Sequence, residues 1–237
     1  MAILGEILDR VSRTRASGRL PVVVFDLDST LIETAPRHLA ILREFVAEAW
    51  PDPSVAEVVA GLTTADFGWA VGAPLRRRGV DSPDLHEALI RFWFERFFDS
   101  DYLRHDTAAP GAVEFVRAVV ERGGFAYYLT ARHLPEMGLG TVESLIRLGF
   151  PYLDGCSTLQ LKPSKSDGDA PFKRAAHAAI AALGGEVVAT FENEPGHLNA
   201  LLDDFPAAAH VRYGHVHSPD APPPRPEIHH IESFRLA

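Results

Sequence analysis

Residues 21–31 read Pro21-Val22-Val23-Val24-Phe25-Asp26-Leu27-Asp28-Ser29-Thr30-Leu31. A run of β-branched and aromatic residues with no polar alternation predicts a strand over 21–28, buried on both faces as in a parallel sheet. It ends in two aspartates, after which Ser29 and Thr30 turn the chain.

Upstream, Ile3, Leu4, Ile7, Leu8 and Val11 recur at helical spacing and predict a helix over 3–16. Downstream, from Ala35 to about Asp106, the periodicity is helical throughout. Leu39, Leu42 and Phe45 mark one helix, Val55, Val58 and Val59 a second, and Leu85, Leu89, Trp93 and Phe97 an aromatic third. Strand and helix signals then alternate. A helix follows Pro110-Gly111, a strand runs from Phe125 to Thr130, and a helix covers Thr141–Leu148. A short strand at Thr158–Leu161, a helix at Ala170–Leu183 and a strand at Glu186–Phe191 come next. The last signals are a helix at 196–203 and a strand at His210–Tyr213. Such alternation builds βαβ units and a parallel sheet, an α/β fold interrupted by a helical insertion. The stretch 218–226 is proline-rich and reads as extended.

The chain has 237 residues, enough for one core domain plus an inserted subdomain. Its net charge of −9 disfavours bulk nucleic-acid binding and requires any phosphate site to be locally positive. Cys156 is the only cysteine, so no intramolecular disulfide forms and a reducing compartment is expected. Glu6, Asp9 and Arg10 interrupt the first apolar stretch, which argues against a secretory signal. No run is long enough to span a membrane. These features predict a cytoplasmic protein that engages neither membrane nor nucleic acid.

In an open parallel sheet, ligands bind beyond the carboxyl ends of the strands. There the sequence places Asp26 and Asp28, then Thr130 and Arg132, then Glu192, Asn193 and Glu194. The two aspartates, two residues apart, would leave a regular strand on one face. Close carboxylates persist when a cation or proton relieves their repulsion. A cluster of hard oxygen donors suits Mg²⁺, with Asp26, Asp28, Glu192 and Asn193 as candidate ligands. A carboxylate attacks phosphorus when cations cancel the substrate's charge, and a second group must then serve the leaving oxygen and the water. Asp26 is the candidate nucleophile and Asp28 the candidate acid/base. The Thr130 hydroxyl would hold a phosphate oxygen, and a lysine near a helix start would supply positive charge.

Asp26-Leu27-Asp28-Ser29-Thr30-Leu31 resembles the first signature of the haloacid dehalogenase superfamily, and Leu129-Thr130-Ala131-Arg132 resembles its second. The resemblance implies a Rossmann-like core, residues 1–34 and 107–237, with a helical cap of the C1 type at 35–106. It implies Mg²⁺, a phosphoenzyme on Asp26, and a small phosphorylated metabolite as substrate. An aspartate at position 28 favours the phosphatase branch over the dehalogenases. Lys173 is the preferred third-motif lysine, with Lys162 the alternative and Lys165 the weakest. The fourth motif departs from the pattern. Glu192 stands where an aspartate is usual, and its extra methylene displaces the carboxylate by about the length of a C–C bond.

Ser29, Ala131 and Arg132 flank these motifs and are candidate substrate-binding residues, although Arg132 and His133 read more readily as exposed loop. Glu33 and Thr34 are placed either to touch substrate or to serve as a hinge to the insertion. Arg76, Arg77 and Arg78 read as a solvated face. His215, His217, His229 and His230 lack the companions of a zinc site. Two further readings remain: a phosphotransferase using the same intermediate, and a non-catalytic phosphate-ligand-binding protein, which the Glu192 substitution motivates.

Overall fold

A computed structural model describes residues 2–236. The predicted strand forms as β1 (Pro21–Phe25), and every residue of it is buried. Val23 and Phe25 pack into one apolar cluster while Val22 and Val24 pack into another on the opposite face, as the two-residue period of a central strand requires. The main sheet is six-stranded and parallel. Its order is β5 (Ser157–Lys162), β4 (Phe125–His133), β1, β6 (Glu186–Glu192), β7 (Ala209–Tyr213) and β8 (His229–Ile231). The chain builds outward from β1 through β4 to β5, then crosses to β6 on the other side of β1. That reversal opens a crevice at the carboxyl end of β1.

Helices α1 (Ala2–Ala16) and α6 (Ala112–Glu121) cover one face with Leu4, Ile7, Val11, Phe115 and Val119. On the other face, α8 (Asp169–Ala182) contributes Ala176 and Ile180. The remaining core helices are α7 (Leu134–Leu148) and α9 (Pro195–Asp204).

Between β1 and the rest of the sheet, a two-residue strand β2 (Ile32–Glu33) pairs antiparallel with β3 (Thr107–Ala108). The chain between them forms α2 (Ala35–Glu48), α3 (Pro53–Ala60), α4 (Ala73–Arg77) and α5 (Pro83–Phe97). Asp52 and Ser82 cap α3 and α5 by accepting backbone N–H groups of the first turn. These helices bury a core of their own, in which Leu42, Phe45, Val59, Leu75 and Leu89 meet. The fold is thus an α/β Rossmann-like core carrying an inserted helical subdomain.

Helix α7 begins at Leu134, well before the predicted Thr141. Pro135 and the pair Gly138 and Gly140 obscured its first turns. Proline is compatible with a first helical turn. Gly140 serves a close approach, since a Cβ there would come within 2.7 Å of the Ser100 carbonyl oxygen. Strand β8, which follows the proline-rich stretch, has no apolar period of its own and forms by pairing with β7. Arg76, Arg77 and Arg78 are exposed, as expected.

Candidate active site

Strands β4, β1 and β6 are neighbours, so their carboxyl ends set Thr130, Asp26 and Glu192 side by side. The Asp26 amide extends the ladder by donating to the Phe191 carbonyl at 3.0 Å. Its side chain falls on the face covered by α8. Lys173 lies there on the helix's buried stripe with Ala176, His177 and Ile180, at i, i+3, i+4 and i+7. Lys173 Nζ donates to Asp26 Oδ1 at 2.7 Å and to Glu192 Oε2 at 2.5 Å. Lys162 instead donates to Asp169 at 2.6 Å, so the lysine that meets Asp26 is Lys173. Thr30 Oγ1 lies 2.9 Å from Asp26 Oδ2 and 3.3 Å from Asn193 Oδ1. One hydroxyl proton cannot serve both acceptors at once, and the nearer is Asp26.

Two buried carboxylates therefore share one buried ammonium. Burial and the neighbouring Glu192 charge push the Asp26 carboxyl up to about 7, against the pull of Lys173. Glu192 moves the other way. Burial would raise it, but Lys173 and His197 bring it down to about 2. Its longer side chain folds back, and Oε1 accepts the amides of Asn193 and Glu194 at the start of α9. Lys173 stays charged despite burial because Asp26 and Glu192 face it.

Asp28 is handled differently. Regular strand ends at Phe25, and Ser29 adopts a left-handed φ of 59° within a turn closed by its amide donating to the Ile32 carbonyl at 2.7 Å. The aspartates accordingly diverge instead of sharing a strand face. Arg132 donates to Asp28 through Nε at 3.0 Å and Nη2 at 2.6 Å, and Arg37 of α2 adds a contact at 3.0 Å. Both guanidinia also bind the fully buried Asp106. Burial alone would raise the Asp28 carboxyl, but Arg132 and then Arg37 hold it well below the usual carboxylate range. Arg132 is buried, contrary to the loop reading. A register shift in β4 between Thr130 and His133 turns this segment inward. His133 is buried with it, and its ring lies 5.8 Å from that of Phe98.

Thr130 is buried and its hydroxyl accepts the Arg132 amide at 3.2 Å. Ser29 Oγ approaches Thr34 Oγ1 at 3.4 Å, and Ala131 makes no side-chain hydrogen bond. A cavity of about 340 Å³ opens at these strand ends. Asp26, Asp28, Ser29, Thr130, Ala131, Arg132, Lys173, Glu192 and Asn193 line it, and its far wall comes from the helical subdomain. A second cavity, of about 410 Å³, lies between α8 and α9 under residues 218–222. It also reaches Asp26, Lys173 and Glu192 but lacks Thr130 and Asp28, so the first cavity holds the full constellation.

Solved structures similar to this one include haloacid dehalogenase-like hydrolases and phosphatases. A subfamily IA hydrolase from Geobacter sulfurreducens superposes with a TM-score of 0.52 and 12% identity, over 91% of this chain and 93% of its own. CbbY from Rhodobacter sphaeroides, solved with phosphate, gives 0.51 and 16%, over 91% and 95%. A hydrolase from Streptococcus pneumoniae gives 0.50 and 12%, over 78% and 89%. The fold is that of the haloacid dehalogenase-like hydrolases. No protein-family model matches the sequence, nor does the sequence of any curated protein. Among the described residues, no helix of this haloacid dehalogenase fold is long and apolar enough to cross a membrane.

Sequence reasoning missed Arg37 and Asp106. They stand far apart in the chain and carry no motif, and only the packing of α2 onto the core brings them to Asp28. His38, the next residue on α2, is also buried. Its Nδ1 accepts from Trp93 Nε1 at 3.0 Å, and its ring stacks with those of Phe67, Trp93 and Phe97. Burial and the neighbouring Arg37 push it down to about 3. Above about pH 6.5 it is neutral in both folded and unfolded chains and contributes nothing to pH dependence. Below that the unfolded chain takes up a proton that the folded one refuses, so stability falls toward pH 3. By pH 5 the loss from this residue is about 2 kcal/mol. His38→Gln keeps an acceptor for Trp93 without titrating. Urea unfolding at pH 7 and pH 5 should show a smaller acid loss in this variant. An unchanged loss would remove His38 as its source. His210, also buried and lowered, acts with the same sign in both proteins.

Proposed function

We propose that this chain is a Mg²⁺-dependent phosphohydrolase that cleaves a phosphate monoester through a phosphoenzyme on Asp26. The observation that carries the reading is the Asp26 carboxylate itself, buried at a strand end between Lys173 and Thr30 and open to a cavity shared with Thr130 and Asp28. Asp26, the Asp28 backbone carbonyl, Glu192 and Asn193 form a set of hard oxygen donors. One ammonium facing two buried carboxylates leaves a negative charge uncompensated, so the residues present fit a divalent cation. When bound, Mg²⁺ would offset charge on the transferring phosphoryl group.

Lys173 and the Thr130 hydroxyl hold phosphate oxygens. An Asp26 oxygen bonds to phosphorus as the ester P–O bond breaks, and the leaving oxygen takes a proton from Asp28. Water then attacks phosphorus, gives its proton to Asp28, and releases inorganic phosphate with Asp26 restored. The clamp holds Asp28 in the ionised form that the second half-reaction needs but lowers its basicity, so proton exchange in either half-reaction requires the carboxylate to loosen from the guanidinia. The first half-reaction requires Asp28 to leave the two guanidinia and take up a proton from solvent, which it then gives to the leaving oxygen. Residues 35–106, which form the far wall, act as the cap over core residues 1–34 and 107–237.

The test is phosphate release from a panel of monoesters, with and without Mg²⁺, for the native protein and Asp26→Asn. Mg²⁺-dependent release is expected to fall at least about 10⁴-fold in the variant, the scale seen when a catalytic nucleophile is removed. Equal release by both proteins would overturn the covalent mechanism.

A further inference from the structure

The cavity that reaches Asp26 has two unlike halves. The core side is polar and charged. The subdomain side is aromatic, with Trp69, Trp93, Phe94, Phe97 and Phe98 lining it beside His38. Trp93, Phe97 and His38 are stacked on one another, and Trp93 Nε1 donates to His38 Nδ1. Arg37 further occupies Phe97, its guanidinium 4.3 Å from the ring centre. These residues form a largely aromatic backing layer, in which His38 Nε2 is the one ring nitrogen left to meet a ligand's hydroxyl.

Two further rings of the lining keep free surface. Trp69, in the loop before α4, is 52% exposed, and Phe94 is 48% exposed. No aromatic ring stacks on Trp69 among the described residues. Phe94 carries the Lys165 ammonium at 4.0 Å from its centre, which ties the subdomain wall to the core loop after β5. Half-exposed aromatic side chains lining the cavity that holds Asp26, Trp69 free of any stacked aromatic ring among the described residues and Phe94 covered in part by Lys165, are matched by a flat apolar ring and not by a polyol. A polyol would have to give up water against a wall with few hydrogen-bond partners.

We propose that the substrate is a phosphate monoester whose leaving group carries a planar aromatic ring, bound against Trp69 and Phe94. The proposal rests on the reading of Asp26 as the phosphoryl acceptor, and it narrows the substrate class. The phosphate is held by the core and the ring by the subdomain, so the two contributions are separable by mutation.

The probes are 1-naphthyl phosphate and glycerol 2-phosphate. Binding is measured by calorimetry in the Asp26→Asn background with Mg²⁺, so that turnover does not intervene. The naphthyl ester should bind about tenfold or more tightly than the glycerol ester. Trp69→Ala and Phe94→Ala, each added to that background, should remove most of the difference while leaving glycerol 2-phosphate affinity within about twofold. Both residues are exposed, so neither change threatens the fold. Equal affinity for the two esters, or a preference that survives both substitutions, overturns the proposal even if the native protein hydrolyses phosphate esters. A ring preference that Trp69→Ala abolishes, in a native protein that releases no phosphate from either ester, would uphold the ring site and count against the phosphohydrolase reading alone.

Discussion

Lys173→Met should cost both stability and turnover, each by a large margin. In the folded protein the lysine is 5% exposed and is the cation shared by Asp26 and Glu192. Methionine fills similar space without charge, which leaves two buried carboxylates facing each other. Breaking a buried ion pair from one side costs about 3–5 kcal/mol, because the surviving charge stays desolvated. Part of that is relieved by protonation, since Asp26 already sits near 7 with the lysine present and rises further without it. The loss should thus grow with pH through the neutral range, as the unfolded carboxylates stay ionised while the folded Asp26 must hold a proton. Urea unfolding of Lys173→Met at pH 6 and pH 8 tests this. The double variant Lys173→Met/Glu192→Gln should recover stability, because the unpaired charge is gone. For phosphate release, removing one preorganised cation from the transferring group should lower kcat by about 10²–10³. A kcat within tenfold of native would show that Lys173 is structural and does not touch the phosphoryl group.

The position of Lys173 also shows how much of this site was legible. The apolar periodicity of α8 includes position 173, so a lysine there interrupts a buried stripe that is otherwise Ala176, His177 and Ile180. A charge on a buried helical stripe must be paired, and the paired carboxylates at the ends of β1 and β6 were already visible as strand-end residues. The parallel sheet was legible for the same reason: β1 and β6 are runs of β-branched residues followed abruptly by acids. What could not be read was the divergence of Asp26 and Asp28. It depends on where regular strand stops and on the left-handed turn at Ser29, and a two-residue spacing does not report either. Arg132 was misjudged as loop because a register shift in β4 has no compositional mark. The fold-back of Glu192 onto the α9 amides was hidden for a related reason. The extra methylene was visible, but its direction is set by Lys173 and by backbone that lies outside the motif.

Arg132→Met is expected to destabilise the protein by about 3–5 kcal/mol and to release Asp28. Arg37, Arg132, Asp28 and Asp106 form a neutral quartet of two cations and two anions. Both arginines and Asp106 have fully buried side chains, while Asp28 keeps 30% exposure toward the cavity. Removing Arg132 leaves Arg37 alone against both carboxylates. Asp28 can turn to water, but Asp106 cannot, so the cost falls on Asp106. Arg132→Met/Asp106→Asn should therefore recover much of the loss, and that cycle measures the pair directly. Arg132→Lys keeps the charge but cannot reproduce the two-point contact with Asp28 and the third with Asp106, so its stability should fall between native and Arg132→Met. In the same variant the Asp28 carboxyl should rise toward the ordinary aspartate value, because its strongest partner is weakened. Carboxyl ¹³C titration reads that shift, and an unmoved Asp28 would assign its depression to Arg37 instead. An apolar quartet of equal volume would hold the subdomain to the core at no greater cost in stability. Three of its members could be replaced on that ground. The fourth could not under the proposed mechanism, in which Asp28 exchanges a proton at the cavity edge. A carboxylate held ionised beside a second carboxylate needs guanidinium partners, and those partners in turn need Asp106 to balance them.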